Sequence, residues 1–260
     1  MGYITRKTEE ELDILSEGGK ILSDTLAILR DHTKPGVKAS ALDETARETL
    51  HEKGAEPSFL NYSPAGEKNP YPGSLCVSLN EEIVHGLATD EKVFKEGDLV
   101  SLDIGAKYQG LYTDMSVSFY LGKPPREVRR LIAVTRAALR RGVKAVSPGK
   151  PLRDIGRSIE TYVEKYGFGI VRDLVGHGVG YAVHEAPRIP NYDDPSLADV
   201  TMEPGMCFAI EPMITMGTYR VKTLSDGWTI VTADGSLSAH AEVTVAVGSR
   251  GRRIITPFID

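Results

Sequence analysis

Asp98-Leu99-Val100-Ser101-Leu102-Asp103-Ile104, followed after a turn at Lys107 to Gly110 by Tyr112-Thr113-Asp114-Met115-Ser116-Val117-Ser118-Phe119-Tyr120, reads as a pair of strands that each carry one acid. Side chains alternate between sheet faces with a period of two. Val100, Leu102 and Ile104 therefore share one face of the first strand, with Asp103 opposite them beside Leu99 and Ser101. Met115, Val117 and Phe119 form the apolar face of the second, and Asp114 sits with Tyr112, Ser116 and Ser118. A turn this short joins antiparallel neighbours, because parallel strands need a long crossover. The hairpin thus favours an antiparallel α+β sheet over a doubly wound one.

Two further stretches repeat the pattern. In Met206 to Glu211 the apolar side is Met206, Phe208 and Ile210, opposite Cys207, Ala209 and Glu211. In His240 to Val247, read as one strand, Ala241, Val243, Val245 and Val247 oppose His240, Glu242 and Thr244. An ionised carboxylate within an apolar strand is costly unless a cation compensates it. Asp103, Asp114, Glu211 and Glu242 all fall on the less apolar face, and with His177, set among glycines in Gly176-His177-Gly178-Val179-Gly180, they form a set of hard ligands for a pair of divalent ions.

The chain also looks like two related halves, about 8–122 and 123–250. Glu96-Gly97, Val100, Leu102 and Asp103 recur 108 residues later as Pro204-Gly205, Phe208, Ile210 and Glu211. A two-fold relation would bring Asp103 and Glu211 to opposing sides of one cleft. At 260 residues with no low-complexity linker, 1–260 reads as a single domain. A net charge of -5 argues against a dedicated nucleic-acid surface. The basic run Arg126, Arg129, Arg130, Arg136, Arg140 and Arg141 reads as a solvated helix face, with ribosome contact as the alternative. Cys76 and Cys207 are too few for a disulfide framework or a zinc knuckle, which suits a reducing cytosol. No apolar run approaches a membrane span, and there is no signal-peptide core.

Helices precede strands in each half. Thr8 with Glu11 reads as a capping box for a helix whose stripe is Leu12, Leu15, Leu22, Leu26 and Leu29. Ser40 is expected to cap a second helix through Leu50; Pro124-Pro125 starts a third, to about Ala145; Ile155, Ile159, Tyr162, Val163 and Tyr166 mark a fourth. Helices should cover the apolar sheet face and leave the acid-bearing face to line the site.

These residues resemble the type I methionine aminopeptidases, of the creatinase-like pita-bread fold. The stretches that carry the resemblance are Asn80-Glu81-Glu82-Ile83-Val84-His85-Gly86, Tyr112-Thr113-Asp114, Gly176-His177-Gly178-Val179-Gly180, His184-Glu185-Ala186-Pro187, Phe208-Ala209-Ile210-Glu211-Pro212 and Ala239-His240-Ala241-Glu242-Val243-Thr244, together with Asp103. The resemblance implies a curved antiparallel sheet with helices outside it, and removal of the initiator methionine from nascent polypeptides whose second residue is small. It implies that Asp103 chelates one metal and His177 binds the other, that Asp114 and Glu242 bridge them, and that Glu211 binds the metal of His177 and acts as general base. His184 would donate to the carbonyl oxygen, and His85 would contact the substrate backbone nitrogen. Tyr71, Cys76, Trp228 and Val183 would shape the methionine pocket. An oxygen-rich set with one histidine suits cobalt, manganese or iron, with zinc kept beside them.

The chain departs from the family in a short insertion around residues 65–69, in Val183 where phenylalanine is common, and in His240 and Val243 where glutamine and histidine are usual. His240 would be a partner of the ligands rather than a ligand. A proline-specific aminopeptidase or prolidase shares the metal set but carries an N-terminal domain for which there is no room. A silent pita-bread binding module would have lost ligands, and none is lost. The lack of a zinc-finger extension points to a bacterial-type, cytoplasmic monomer.

Overall fold

The structure is a computed structural model that describes residues 3–64, 69–197 and 200–259. Most of the insertion read around residues 65–69 lies outside the described residues. In chain order the first elements are α1 (Glu9–His32), α2 (Ala39–Glu52), β1 (Glu56–Pro57), β2 (Cys76–Leu79), β3 (Glu82–Val84), β4 (Leu99–Tyr108) and β5 (Leu111–Tyr120). There follow α3 (Arg126–Ala145), α4 (Arg153–Val163), β6 (Gly169–Ile170), β7 (Gly176–Gly178), β8 (Glu185–Ile189), β9 (Cys207–Ile210), β10 (Met213–Thr215), β11 (Val221–Thr223), β12 (Ile230–Thr232), β13 (Ser238–His240), β14 (Glu242–Gly248) and β15 (Gly251–Ile254).

Local chemistry sets the helix ends. The Thr8 hydroxyl accepts from the Glu11 amide while the Glu11 carboxylate accepts from the Thr8 amide, completing the capping box of α1. Ser40, in contrast, does not cap α2. Lys38 is the cap residue, the Ala39 amide is already satisfied by the Lys92 carbonyl, and the Ser40 hydroxyl donates instead to Asp90 Oδ1 at 2.6 Å. The third helix begins directly after Pro125, and the fourth tightens into a 3-10 turn, Glu164–Tyr166, that closes on Gly167 at φ 71°.

Among the described residues, nine strands form one antiparallel sheet in the order β1-β4-β5-β14-β9-β7-β8, with β2 added to β4 and β15 to β14. Gln109 and Gly110 make the β4–β5 turn with φ of 47° and 85°, the left-handed pair that a two-residue hairpin wants. The strand read as His240 to Val247 is interrupted at Ala241. His240 ends β13, in a small sheet with β10 and β6, and Glu242 opens β14. Period-two alternation runs through that break, so the sequence pattern could not reveal it.

Helices lie against the apolar face, as the alternation requires. Leu12, Leu15, Leu22, Leu26 and Leu29 of α1 are all buried, each burial being worth about 1.5–3 kcal/mol. Leu22, Leu26 and Leu29 share one core with Val100, Leu102, Met115, Val243 and Val245. A Cβ on Gly19 would come within 2.2 Å of the Ile255 carbonyl oxygen, so only glycine lets α1 approach this closely.

Candidate metal centre and apolar cleft

Strand register decides which side chains meet. Across β4, β5 and β14, Asp103 faces Ser116 and Ser116 faces Glu242. Two residues along, Gly105 faces Asp114, and the Thr244 hydroxyl accepts from the Asp114 amide and donates to its carbonyl, both at 2.9 Å. Thr244 is paired in turn with Ala209, and Ala209 with His177. Steps of two stay on one face, so Asp103, Asp114, His177 and Glu242 project to the same side, and Glu211, two residues beyond Ala209, joins them. Gly105, Ser116 and Ala209 keep the intervening positions small.

Asp114, His177 and Glu242 each present a donor atom within 4.8 Å of the other two. His177 Nε2 lies 3.6 Å from Glu211 Oε1, and Asp103 and Glu211 line the same cavity. The other ring nitrogen of His177 is 2.9 Å from the Gly178 carbonyl, which leaves Nε2 for the cleft.

Burial pushes the carboxyls upward, Asp103 to about 7 and Glu211 to about 8. Asp114 and Glu242 are held well above the usual range by burial, with the neighbouring acids adding to it. Desolvation lowers His85 to about 4 and His177 to about 3, so both imidazoles are neutral; His184, exposed at the mouth, is shifted the same way. Among the described residues, Asp103 Oδ1, Glu242 Oε1 and both ring nitrogens of His240 are buried without a hydrogen-bond partner. Orphans of this kind are rare in folded proteins. Crowded buried carboxylates with a neutral imidazole are the donor set that divalent cations take, so the residues fit a metal.

The same cleft has apolar walls. Tyr71, Cys76 and Trp228 line it, with the Tyr71 and Trp228 rings edge to face at 5.2 Å, and His85 and His184 stand at its sides. Val183 does not line the cavity as expected: it is 5% exposed and packs with Phe59, Tyr71 and Cys76 behind the wall. Phe59, Tyr62, Leu174 and Met213 also line the cleft and were missed, because in sequence they are indistinguishable from core residues. Tyr62 has a specific contact, its hydroxyl lying 2.6 Å from His184 Nδ1. His85 itself sits at φ 58°, a left-handed conformation that costs a non-glycine residue about 1–3 kcal/mol and is held by its surroundings. The Tyr71 hydroxyl shares its proton between the Gly86 and Leu75 carbonyls, at 3.0 and 3.1 Å, tying the residue after His85 to the segment that opens β2.

Residues 13–249 match metallopeptidase family M24. The methionine aminopeptidase of Clostridium perfringens is 42% identical over 253 residues, 97% of this chain and 98% of its own length. Methionine aminopeptidase 1 of Bacillus subtilis is 42% identical over 96% of this chain and 98% of its own. The crystal structure of the Thermotoga maritima methionine aminopeptidase superposes with a TM-score of 0.93 at 41% identity, over 98% of this chain and all of that one. Prolidase from Pyrococcus furiosus, 22% identical with a TM-score of 0.77, covers 98% of this chain with 66% of its own and shares the pita-bread fold alone.

Proposed function

The chain belongs to the methionine aminopeptidases of metallopeptidase family M24, and from that premise we propose how its residues divide the work. It is a metal-dependent hydrolase that removes the N-terminal methionine of polypeptides. The observation that carries the site assignment is the convergence of Asp103, Asp114, His177, Glu211 and Glu242 on one sheet face beside an apolar cleft.

In this reading Asp114, Glu242, Asp103, His177 and Glu211 would hold two divalent ions, of cobalt, manganese, iron or zinc, with Asp114 and Glu242 shared between them, Asp103 serving one, and His177 with Glu211 the other. The ions, when bound, activate a water and polarise the scissile carbonyl. Glu211, ionised once its proton has been displaced by metal binding, takes the proton of the attacking water and returns it to the leaving amine. The Tyr62 hydroxyl lies 2.6 Å from His184 Nδ1, and in this reading it donates there and so selects the tautomer that offers Nε2–H to the substrate carbonyl oxygen as charge develops on it. The neutral imidazole of His85 accepts from the substrate backbone nitrogen. Tyr71, Cys76 and Trp228 receive the methionine side chain, and the Cys76 thiol stays protonated because burial pushes it well above its usual range.

The substrates are the N-termini of nascent chains, with small second residues. We further place the enzyme in the cytoplasm as a monomer, its single domain built of halves at about 8–122 and 123–250, whose residues would hold the metals between them. The exposed arginines of α3 are the surface for transient ribosome contact; Arg136 alone of the run turns inward, donating to the Ser118 carbonyl. Turnover of Met-Ala-Ser after metal reconstitution, beside an Ala-Pro peptide, tests the assignment. Methionine release that Asp103→Asn abolishes is expected; proline-directed cleavage, or full activity in the variant, would overturn it.

A further inference from the structure

Outside the metal cleft, Lys7 and Glu185 form a deeply buried charged pair. Lys7 Nζ lies 2.8 Å from Glu185 Oε2, and the two side chains are 1% and 8% exposed. Ion pairs so deeply buried are poor sources of stability, since desolvation offsets their attraction, yet removing one partner is damaging because a lone charge remains. Such a pair fixes geometry well.

Several contacts of this pair lead to the loop that carries His184. Glu185 Oε2 also accepts from the Thr5 hydroxyl, while Oε1 accepts from the amides of Tyr181 and Ala182. The carboxylate therefore ties both ends of the segment 181–185 together. Lys7 passes beside Gly180, where a Cβ would come within 2.2 Å of Lys7 Cε, and its ammonium stands 4.8 Å from the centre of the Tyr181 ring. The Tyr181 hydroxyl donates to Glu11 Oε2 at 2.8 Å, at the start of α1. Lys7 is anchored in turn by its amide, which donates to the Gly205 carbonyl at 2.7 Å, and Ile4 bridges to Ala186. On the cleft side the His184 ring meets the Tyr62 hydroxyl at 2.6 Å and the rings of Tyr62 and His177.

We propose that Lys7 and Glu185 are positioning residues: the N-terminal segment braces the 181–185 loop from behind and sets the place of the His184 ring over the substrate carbonyl. This rests on the reading of His184 as the carbonyl donor. The brace explains why a segment remote in sequence is drawn under the site, and it makes the N-terminal residues part of the catalytic geometry without touching substrate.

The test is a double-mutant cycle between Lys7→Met and His184→Ala in the metal-loaded enzyme, read as kcat and KM for Met-Ala-Ser well below each variant's unfolding midpoint. Lys7→Met alone is expected to lower kcat about tenfold with KM little changed. In the His184→Ala background it should cost nothing further, since the group it positions is gone. Losses that multiply would overturn the brace while leaving the role of His184 intact. Undiminished kcat in His184→Ala would overturn the donor reading and the brace together. Glu185→Gln, which keeps the size of the side chain and one acceptor, repeats the cycle if Lys7→Met does not fold.

Discussion

His240 stands where the family resemblance leads one to expect glutamine, and its ring reaches the acids from a different strand than the sequence pattern suggested. Its Nε2 is 3.6 Å from Glu211 Oε2 and 4.0 Å from Glu242 Oε2. Glu211 thus has one oxygen toward His177 and the other toward His240. Burial lowers the His240 pKa, so the imidazole is neutral and stands beside both carboxylates, just beyond hydrogen-bond range, without competing for the metal site as a cation. His240→Ala should therefore weaken metal binding by about 10–100-fold, as loss of such outer partners does, and His240→Gln should restore most of it. Competition against a metal-sensitive chelator measures both; equal affinity in His240→Ala would show that the ring plays no part in holding the acids.

The seam between β5 and β14 is the element on which the site depends, because it joins Asp114 to Glu242. Thr244 closes it with two hydrogen bonds to the Asp114 backbone. Thr244→Val keeps the shape and leaves the Asp114 amide, in a residue 4% exposed, without its partner. The expected cost is about 1–3 kcal/mol in denaturant unfolding, together with lower kcat, and an unchanged unfolding midpoint would contradict the account. At this scale much was legible in advance. The hairpin at Lys107 to Gly110, the leucine stripe of α1 and the acid-bearing face all follow from local periodicity. The end of α2 that Ser40 was expected to cap, the break at Ala241 and the withdrawal of Val183 behind the cleft wall were not, because each is set by a tertiary partner: the Lys92 carbonyl and Asp90, the sheet shared with β10, and the cluster of Phe59 and Tyr71. The acids that line the cleft were readable because an acid amid apolar strand residues is conspicuous, whereas Phe59, Leu174 and Met213 look alike in a core and in a pocket.

The whole molecule gathers three buried acids and the half-buried Glu211 around one cleft, and its stability must carry the sign of that choice. A carboxyl whose folded pKa is raised holds its proton longer in the folded state, so its contribution is full below its ordinary pKa and is lost as pH climbs through the folded value. For Asp103 and Glu211 that loss runs up to about 7 and about 8, so the metal-free protein should weaken from mildly acid to mildly alkaline conditions. Metal binding must displace the same protons and should strengthen over that range. Calorimetric titration of manganese into metal-free protein, at about pH 6 and about pH 8, reads both effects in one experiment. The account predicts two ions per chain, tighter binding with proton release at the higher pH, and the loss of one ion in Asp103→Asn. Binding that is independent of pH, or unaltered by Asp103→Asn, would contradict it.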